Sequence, residues 1–239
     1  MIKKGIFALI VLTIISCTPA ELQSVLNGIG TDENGKLSVA EIGKGLKEAL
    51  TIGISKGAAR LAQTDGYFKS QYKILLPPEA RKITEKLKNV PGFSNVENVI
   101  LEKINRGAED AAKKAKPIFV DAIKQMTFSD AMDILMGEKN AATNYLHRVT
   151  YDKLYQEFNP VIVASLDKFN ARDYWSKAVN AYNKLPFVDK ANPDLDDYVT
   201  GEALTGLFAM VEKEERNIRS NISARPSDLL KRVFAKQDR

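Results

Sequence analysis

Residues 38–61 read SVAEIGKGLKEALTIGISKGAARL, and this stretch decides the fold class. Ser38 and Glu41 have the spacing of a capping box, in which each side chain bonds the backbone N–H of the other residue. Beyond the box, apolar and small residues recur at steps of three or four, as one face of a helix requires. They are Val39, Ile42, Leu46, Leu50, Gly53, Gly57 and Leu61. The pattern predicts a long amphipathic helix whose apolar face packs against other helices.

Helical periodicity continues through most of the chain. Ser94 and Glu97 have the spacing of a second capping box, which should open a helix that Pro117 kinks or ends. Thr150 is predicted to cap a later helix that is interrupted near Pro160. The helix that begins near Ser94 carries an apolar stripe formed by Val96, Ile100, Ile104, Ala108, Ala111 and Ala115.

The C-terminal part of the sequence repeats these signals. A helix is predicted over 174–185, Asn192-Pro193 resembles a cap with proline in the first turn, and Thr200 is predicted to cap a last long helix. A short helix should follow around 229–234, and the one plausible strand, at 72–76, is too isolated to build a sheet. We therefore predict an all-α fold: a multi-helix, bundle-like domain with at most one short extended segment.

The N-terminus predicts export and lipid attachment. Lys3 and Lys4 precede an apolar run at 5–15, which is too short to span a bilayer and is typical of a signal peptide. Ile14-Ile15-Ser16-Cys17 resembles the lipobox of bacterial lipoproteins, and Cys17 is the single cysteine. We expect a signal peptide at 1–16 and covalent diacylglycerol and fatty acyl groups on Cys17, with no other cofactor.

The lipobox also sets the expected domain organisation and location. A tether at 17–30 should lead into one helical domain at 31–239, with halves at 31–126 and 127–239 as an alternative division. Thr18 stands where an inner-membrane retention signal would have aspartate, which favours the outer membrane, facing the periplasm. The expected partners are the membrane, through the anchor, and an envelope protein.

The charge balance argues against nucleic acid as a partner. Loss of Lys3 and Lys4 from 35 basic residues leaves 33 against 30 acidic residues. The Lys and Arg residues are interspersed with carboxylates, whereas a nucleic-acid binder gathers them on one face. With 44% hydrophobic residues, the mature chain is long enough to bury a substantial core.

Residues 31–41, TDENGKLSVAE, resemble the later part of a calcium-binding EF-hand loop. Taking Gly35 as the turn glycine puts Asp32, Asn34, Ser38 and Glu41 at ligand positions, but Gly30 stands where the leading aspartate should be. The favoured interpretation is a polar turn that leads into the helix, so Asp32, Asn34 and Glu41 are only weak metal candidates and no metal site is predicted.

Glu215 is a carboxylate on an apolar helix stripe, between Val211 and Ile218. It needs a partner, which Arg219 four residues on, or Arg106 beside Glu109, could supply. We therefore predict a buried ion network of Arg106, Glu109, Glu215 and Arg219 that fixes how two long helices meet. The alternative is a catalytic carboxylate. The single histidine, His147, has no nucleophile or zinc motif beside it and is interpreted as a structural helix residue.

Five short segments occur in a recognisable order: GLKEAL at 45–50, NRGAE at 105–109, AATNYL at 141–146, YVT at 198–200 and EERNIR at 214–219. Together they resemble a bacterial family catalogued as domain of unknown function 4197, or DUF4197. The resemblance covers nearly all of residues 20–236, with Gly107 where alanine is usual. It implies a helical fold and an envelope setting, and it supplies no activity.

The sequence leaves three functions open. The preferred one is a non-catalytic, anchored helical module that binds or scaffolds another envelope component, because no catalytic signature is recognisable. The second is a carrier of a lipid or other apolar ligand, since 12 of the 19 aromatic residues lie between Phe128 and Phe208 and could line a cavity rather than a core. The third is an enzyme that uses Glu215, Glu109 or their neighbours, and a closed, fully paired Glu215 would argue against it.

Overall fold

A computed structural model describes residues 31–32, 35–87, 89, 94–168, 170–191 and 194–235. Nine α-helices lie within these ranges, and the prediction of an all-α fold is confirmed. They are α1 (Val39–Leu61), α2 (Pro78–Leu87), α3 (Val96–Ala112), α4 (Ala115–Gln125), α5 (Phe128–Met136), α6 (Ala141–Lys168), α7 (Ala171–Tyr182), α8 (Asp196–Ser220) and α9 (Asp228–Phe234), with a 3-10 turn at Ile222–Ala224.

Extended structure is confined to short pieces in the described part of the chain. Strands β1 (Thr31–Asp32) and β2 (Gly35–Lys36) form an antiparallel pair just before α1. The segment at 72–76 has no regular secondary structure. The Asn105 side chain takes the place of a neighbouring strand there, since it accepts from Ile74 N–H at 2.8 Å and donates to Ile74 O at 2.9 Å.

Four long helices form the centre of the molecule: α3 packs on α6, α6 on α8, and α8 on α1. Their apolar faces join one hydrophobic core. Close approach of α1 and α8 depends on small residues, because a Cβ at Gly57 would lie 3.0 Å from Met210 Cγ and a Cβ at Gly53 3.0 Å from Ile218 Cδ1. The remaining helices surround this centre, with α4, α5 and α9 on α1 and α7 on α3.

The predicted start of α1 is confirmed. Ser38 N–H donates to Glu41 Oε2 at 2.8 Å, and Glu41 N–H donates to Ser38 Oγ at 3.2 Å. The second predicted box is wrong: α3 begins at Val96 without a side-chain cap from Asn95, and the Glu97 carboxylate accepts from the Thr84 hydroxyl instead. Spacing alone therefore did not settle which of the two boxes forms.

Two predicted caps lie inside helices. Thr150 and Thr200 do not begin helices, because their hydroxyls donate to the carbonyls four residues back, at Leu146 and Asp196, with distances of 2.6 and 2.7 Å. A threonine that is satisfied in this way is tolerated in a helix interior. The interruption expected at Pro160 is also wrong, since α6 continues through it. Pro117 does stand at a boundary, because α3 ends at Ala112 and α4 carries the proline in its first turn.

Candidate functional site

Cys17, Asn34 and the predicted cap at Asn192-Pro193 lie outside the described residues, and only the backbone of Asp32 is described. The Glu41 carboxylate accepts the Ser38 backbone N–H, and the hydrogen bonds from Ser38 lower the pKa of Glu41. Within the described ranges, no cluster of three or more His, Cys, Asp or Glu side chains could hold a metal ion. The same ranges contain no helix with the length and apolar character needed to cross a membrane.

Glu215 of α8 holds the start of α6. Its Oε1 accepts the Ala142 N–H at 2.9 Å, and its Oε2 accepts the N–H and hydroxyl of Thr143, both at 2.8 Å. These N–H groups belong to the first turn of α6, where a helix has no internal acceptor for them and where a negative charge is favourable. The carboxylate therefore serves as a cap supplied by another helix.

Arg219 closes the Glu215 cluster. Its Nε lies 3.0 Å from Glu215 Oε1, and its Nη2 donates to the Ile134 carbonyl of α5 at 2.7 Å. The side chains of Arg219 and Glu215 are 7% and 4% exposed. With both oxygens occupied and solvent excluded, Glu215 is placed to join α5, α6 and α8 rather than to exchange protons with a substrate.

Glu109 of α3 is the centre of a second cluster. Its Oε1 accepts the N–H groups of Tyr67 and Phe68 at 3.2 and 3.1 Å, and its Oε2 accepts Arg106 Nη1 at 2.8 Å. Arg106 also donates to Asp65 Oδ1 at 2.8 Å. The predicted ion network is therefore two clusters, since Arg106 pairs with Asp65 and Glu109 and not with Glu215.

The Glu109 cluster shapes the segment that follows α1. Asp65 has a φ of 68°, a left-handed conformation that Asp tolerates better than most residues, and Gly66 follows it. Tyr67 is fully buried, and its hydroxyl donates to the Ala203 carbonyl of α8 at 2.7 Å. Burial raises the pKa of the Tyr67 phenol, so this hydroxyl stays protonated. These bonds tie the segment to α3 on one side and to α8 on the other.

A solvent-open cleft of about 380 Å³ lies beside this segment. We call it the α1–α8 cleft, and its walls are the end of α1, the segment after it, and one turn of α8. The lining residues are Arg60, Gln63, Thr64, Asp65, Gly66, Ser70, Gln71, Tyr72, Met210 and Lys213. Its volume falls in the range of small-molecule sites, which extends from about 300 to 1,000 Å³.

Two cations of the α1–α8 cleft, Arg60 and Lys213, make no side-chain hydrogen bond among the described residues, although Arg60 forms a long ion pair with Glu214. Arg60 lies 4.0 Å from the buried Glu214 carboxylate, beyond hydrogen-bond distance, and Lys213 is exposed and makes no ion pair or hydrogen bond among the described residues. Asp65 is ionised, because hydrogen bonds from Lys69 and Arg106 lower the pKa of its carboxyl group, and the positive charges of these two residues offset its negative charge. The cleft therefore offers an excess of positive charge to its contents.

The family model described as "Protein of unknown function (DUF4197)" matches residues 36–235, which is more than half of the chain. The chain belongs to the DUF4197 family. The resemblance seen in the sequence is thereby confirmed at the level of the family. A search of curated proteins and a search of solved structures each find no match.

In this DUF4197 chain, several of the aromatic residues that could have lined a ligand cavity contribute to the core, whereas Phe187 is exposed and Phe169 lies outside the described residues. Phe158 and Trp175 are buried. Phe208 packs edge to face on Phe119, with ring centroids 5.7 Å apart. It also lies beside the rings of the exposed His147 and of Tyr151, with centroids 4.6 and 6.4 Å apart. His147 thus contacts the rings of Tyr151 and Phe208, and its interpretation as a structural residue stays a prediction.

Sequence reasoning missed the residues that define the α1–α8 cleft. Arg60 and Lys213 are unremarkable surface cations in the sequence, and only the fold places them at one opening. Asp65-Gly66 after the α1 pattern is a turn signal that could have marked the segment. The contact between Asp65 and Arg106 spans 41 residues and has no local signature.

Proposed function

We propose that this DUF4197 protein is a non-catalytic binding module of the cell envelope that takes a small, polar, negatively charged ligand in the α1–α8 cleft. The observation that carries the proposal is the pair of cations, Arg60 and Lys213, at the rim of an open cleft without hydrogen-bonded partners of their own among the described residues. Cations whose hydrogen-bond donors are available, beside polar side chains, suit a carboxylate or phosphate group, which accepts several charge-assisted hydrogen bonds.

The lining of the cleft supports binding rather than catalysis. Gln63, Thr64 and Gln71 are exposed amide or hydroxyl side chains that can orient a polar ligand. The acidic groups nearby, Asp65 and Glu109, already accept hydrogen bonds from Arg106 and the backbone. A general base works best with a pKa near the operating pH, and the hydrogen bonds from Lys69 and Arg106 hold the pKa of Asp65 below its ordinary value instead.

The envelope part of the proposal rests on the N-terminal sequence. A short basic region, an apolar run and Ile14-Ile15-Ser16-Cys17 together support signal cleavage and acylation at Cys17. Metabolic labelling with palmitate should mark the wild-type protein and not Cys17→Ser, and the label should fractionate with the outer membrane. An unlabelled wild-type protein would overturn the anchor without touching the proposed cleft ligand.

The cleft is tested by titration calorimetry with succinate and inorganic phosphate as anionic probes and glucose as the neutral one. Saturable binding of at least one anion is expected, and Lys213→Gln should weaken it about fivefold or more because a direct charge contact is lost. Lys153→Gln removes an exposed lysine from α6 and serves as the matched control. Equal binding by both variants, or no difference between the anions and glucose, would contradict the proposal.

A further inference from the structure

The segment that joins α7 to α8 presents an aromatic side chain to solvent. Phe187 is fully exposed, and Leu185 two residues before it is 37% exposed. Phe187 has a φ of 58°, a left-handed conformation that is rare for a bulky residue and costs of order 1–3 kcal/mol. A strained backbone and a large apolar group in water are both energetically unfavourable, so their combination points to a functional role for the segment.

The base of this segment is closed by specific bonds, and we call residues 183–191 the Phe187 loop. The Asn183 side-chain amide donates to the Ala191 carbonyl at 3.0 Å and accepts the Ala191 N–H at 2.9 Å. Lys190 donates its ammonium group to the Asn183 carbonyl. Val188 and Ala191 are partly buried against the core. The base is thus fixed to the fold while the tip projects outward.

The charges of the Phe187 loop suit an anionic surface. Lys184 and Lys190 flank the apolar tip, and Asp189 is the one acidic residue in 183–191, so the loop carries a net positive charge. Juxtaposed lysines attract anionic phospholipid headgroups, and aromatic side chains favour the boundary between headgroups and acyl chains. When the tip points into a bilayer, its apolar side chains therefore lie toward the acyl chains and its lysines lie at the level of the charged headgroups.

From these observations we infer that the Phe187 loop is a membrane-contact loop whose tip inserts Leu185 and Phe187 into the headgroup region of an anionic bilayer. A stable protein interface buries about 800 Å² on each partner, which two side chains at a loop tip do not approach. A bilayer needs no complementary pocket, and its attraction combines burial of apolar side chains with the charge of anionic lipids, both of which the loop can use. The inference does not depend on the α1–α8 cleft or on acylation of Cys17.

The test places a fluorescent reporter at the tip of the full-length protein. In Phe187→Trp, tryptophan emission should shift to the blue and be quenched by brominated lipids when vesicles contain phosphatidylglycerol. Wild type gives the background, because Trp175 is 2% exposed. Ile222→Trp is the matched control: position 222 is also exposed but lies beyond the far end of α8, roughly 37 Å from its start by the rise of 25 helical residues.

A second variant tests the charge. Lys184→Glu should lower the affinity for anionic vesicles by about fivefold or more, with little change on neutral ones. Emission from the Phe187→Trp variant that stays unshifted and unquenched would overturn the inference, and so would equal quenching of the two tryptophan reporters. Protection of the Phe187→Trp reporter by envelope proteins in the absence of lipid would also overturn it, and would make the loop a protein-docking element instead.

Discussion

Glu109 on α3 and Glu215 on α8 both use a buried carboxylate to hold the backbone of another segment. Through Asp65 the Glu109 cluster borders a cleft of about 380 Å³, whereas the space beside Glu215 and Arg219 is only about 10 Å³. Each carboxylate accepts two consecutive backbone N–H groups and is paired with an arginine on its own helix. The chemistry of the two clusters is the same. What differs is the second task of the arginine.

Arg219 uses its remaining donors on main-chain carbonyls of α5, so the Glu215 cluster is sealed inside the molecule. Arg106 reaches Asp65 in the segment after α1, and the side chains of Arg106 and Asp65 remain 24% and 32% exposed. Because Arg219 donates to buried main-chain carbonyls, it holds helices together and is not available to a ligand. Arg106 pairs with a carboxylate at the surface, where a ligand can still approach. The two clusters are built on the same residue types, a glutamate and an arginine, so it is solvent exposure that makes the Glu109 cluster part of a candidate site and leaves the Glu215 cluster structural.

Removal of the Glu215 carboxylate should have the largest effect on stability. Glu215→Ala leaves Arg219 as a buried, uncompensated charge and deprives Ala142 and Thr143 of their acceptor, so we expect a loss of about 3–5 kcal/mol in the free energy of unfolding. Urea denaturation measures it. Glu212→Ala, which removes a surface pair on the same helix, should cost less than about 1 kcal/mol. Comparable losses in the two variants would mean that the Glu215 cluster is not the joint between α6 and α8.

Removal of the Glu109 carboxylate should lower the free energy of unfolding by less than removal of the Glu215 carboxylate. Glu109→Ala deprives Tyr67 and Phe68 of their acceptor, but Arg106 keeps Asp65 and contact with solvent, so about 2–3 kcal/mol is expected. Asp110→Ala, the next residue on α3, removes an exposed pair with Lys113 and is the control. A larger loss for Glu109 than for Glu215 would break the comparison, because it would make the open cluster the stronger joint.

Sequence periodicity predicts much of the Glu215 cluster and little of the Glu109 cluster. Glu215 attracts attention because it interrupts an apolar stripe, and Arg219 lies one turn further along the same helix, within the range over which helical spacing brings side chains together. The box at Ser38 and Glu41 is local in the same sense. Such features can be read from neighbours in the sequence.

The open region depends on contacts between distant segments. Asp65 meets Arg106, and Asn105 holds Ile74, across 41 and 31 residues. The segment at 62–77 has no periodic pattern that would report its path. Thr150 and Thr200 misled the prediction of helix starts for a related reason: a hydroxyl that can cap a helix can equally bond the carbonyl four residues back, and packing decides between the two.

Gly206→Ala tests the contact between α8 and Tyr67, the residue whose backbone N–H is held by Glu109. The added Cβ would lie 2.9 Å from Tyr67 Cε1, and the Tyr67 ring cannot move freely because it is buried and bonded to Ala203. After the helix-propensity gain of alanine is offset, a net loss of about 1 kcal/mol is expected in thermal or urea unfolding. At Gly201 nothing lies within 4 Å of the new Cβ, so Gly201→Ala should stabilise the protein by up to about 1 kcal/mol. Stabilisation by both variants would show that Tyr67 and α8 can move apart enough to accept the added methyl group.

Asp65→Asn should have the smallest effect and a distinct dependence on pH. Hydrogen bonds from Lys69 and Arg106 lower the pKa of Asp65 in the folded protein from its ordinary value of 3.8. Its ionised form therefore stabilises the fold above that ordinary value, and this contribution disappears as the pH falls through the lowered pKa. The variant should unfold at slightly lower urea than wild type at about pH 6, and the two midpoints should converge below pH 3.8.

Asparagine is the matched substitution at this position, because it tolerates the left-handed backbone of Asp65 as well as aspartate does. Any difference from wild type then reports the charge and not backbone strain. Asp173→Asn, in an exposed pair on α7, is the control and should track wild type across the same pH range. A difference at position 65 that persists unchanged at acidic pH would show that the charge of Asp65 is not its source, and the charged part of the Glu109 cluster would then consist of Arg106 and Glu109 alone.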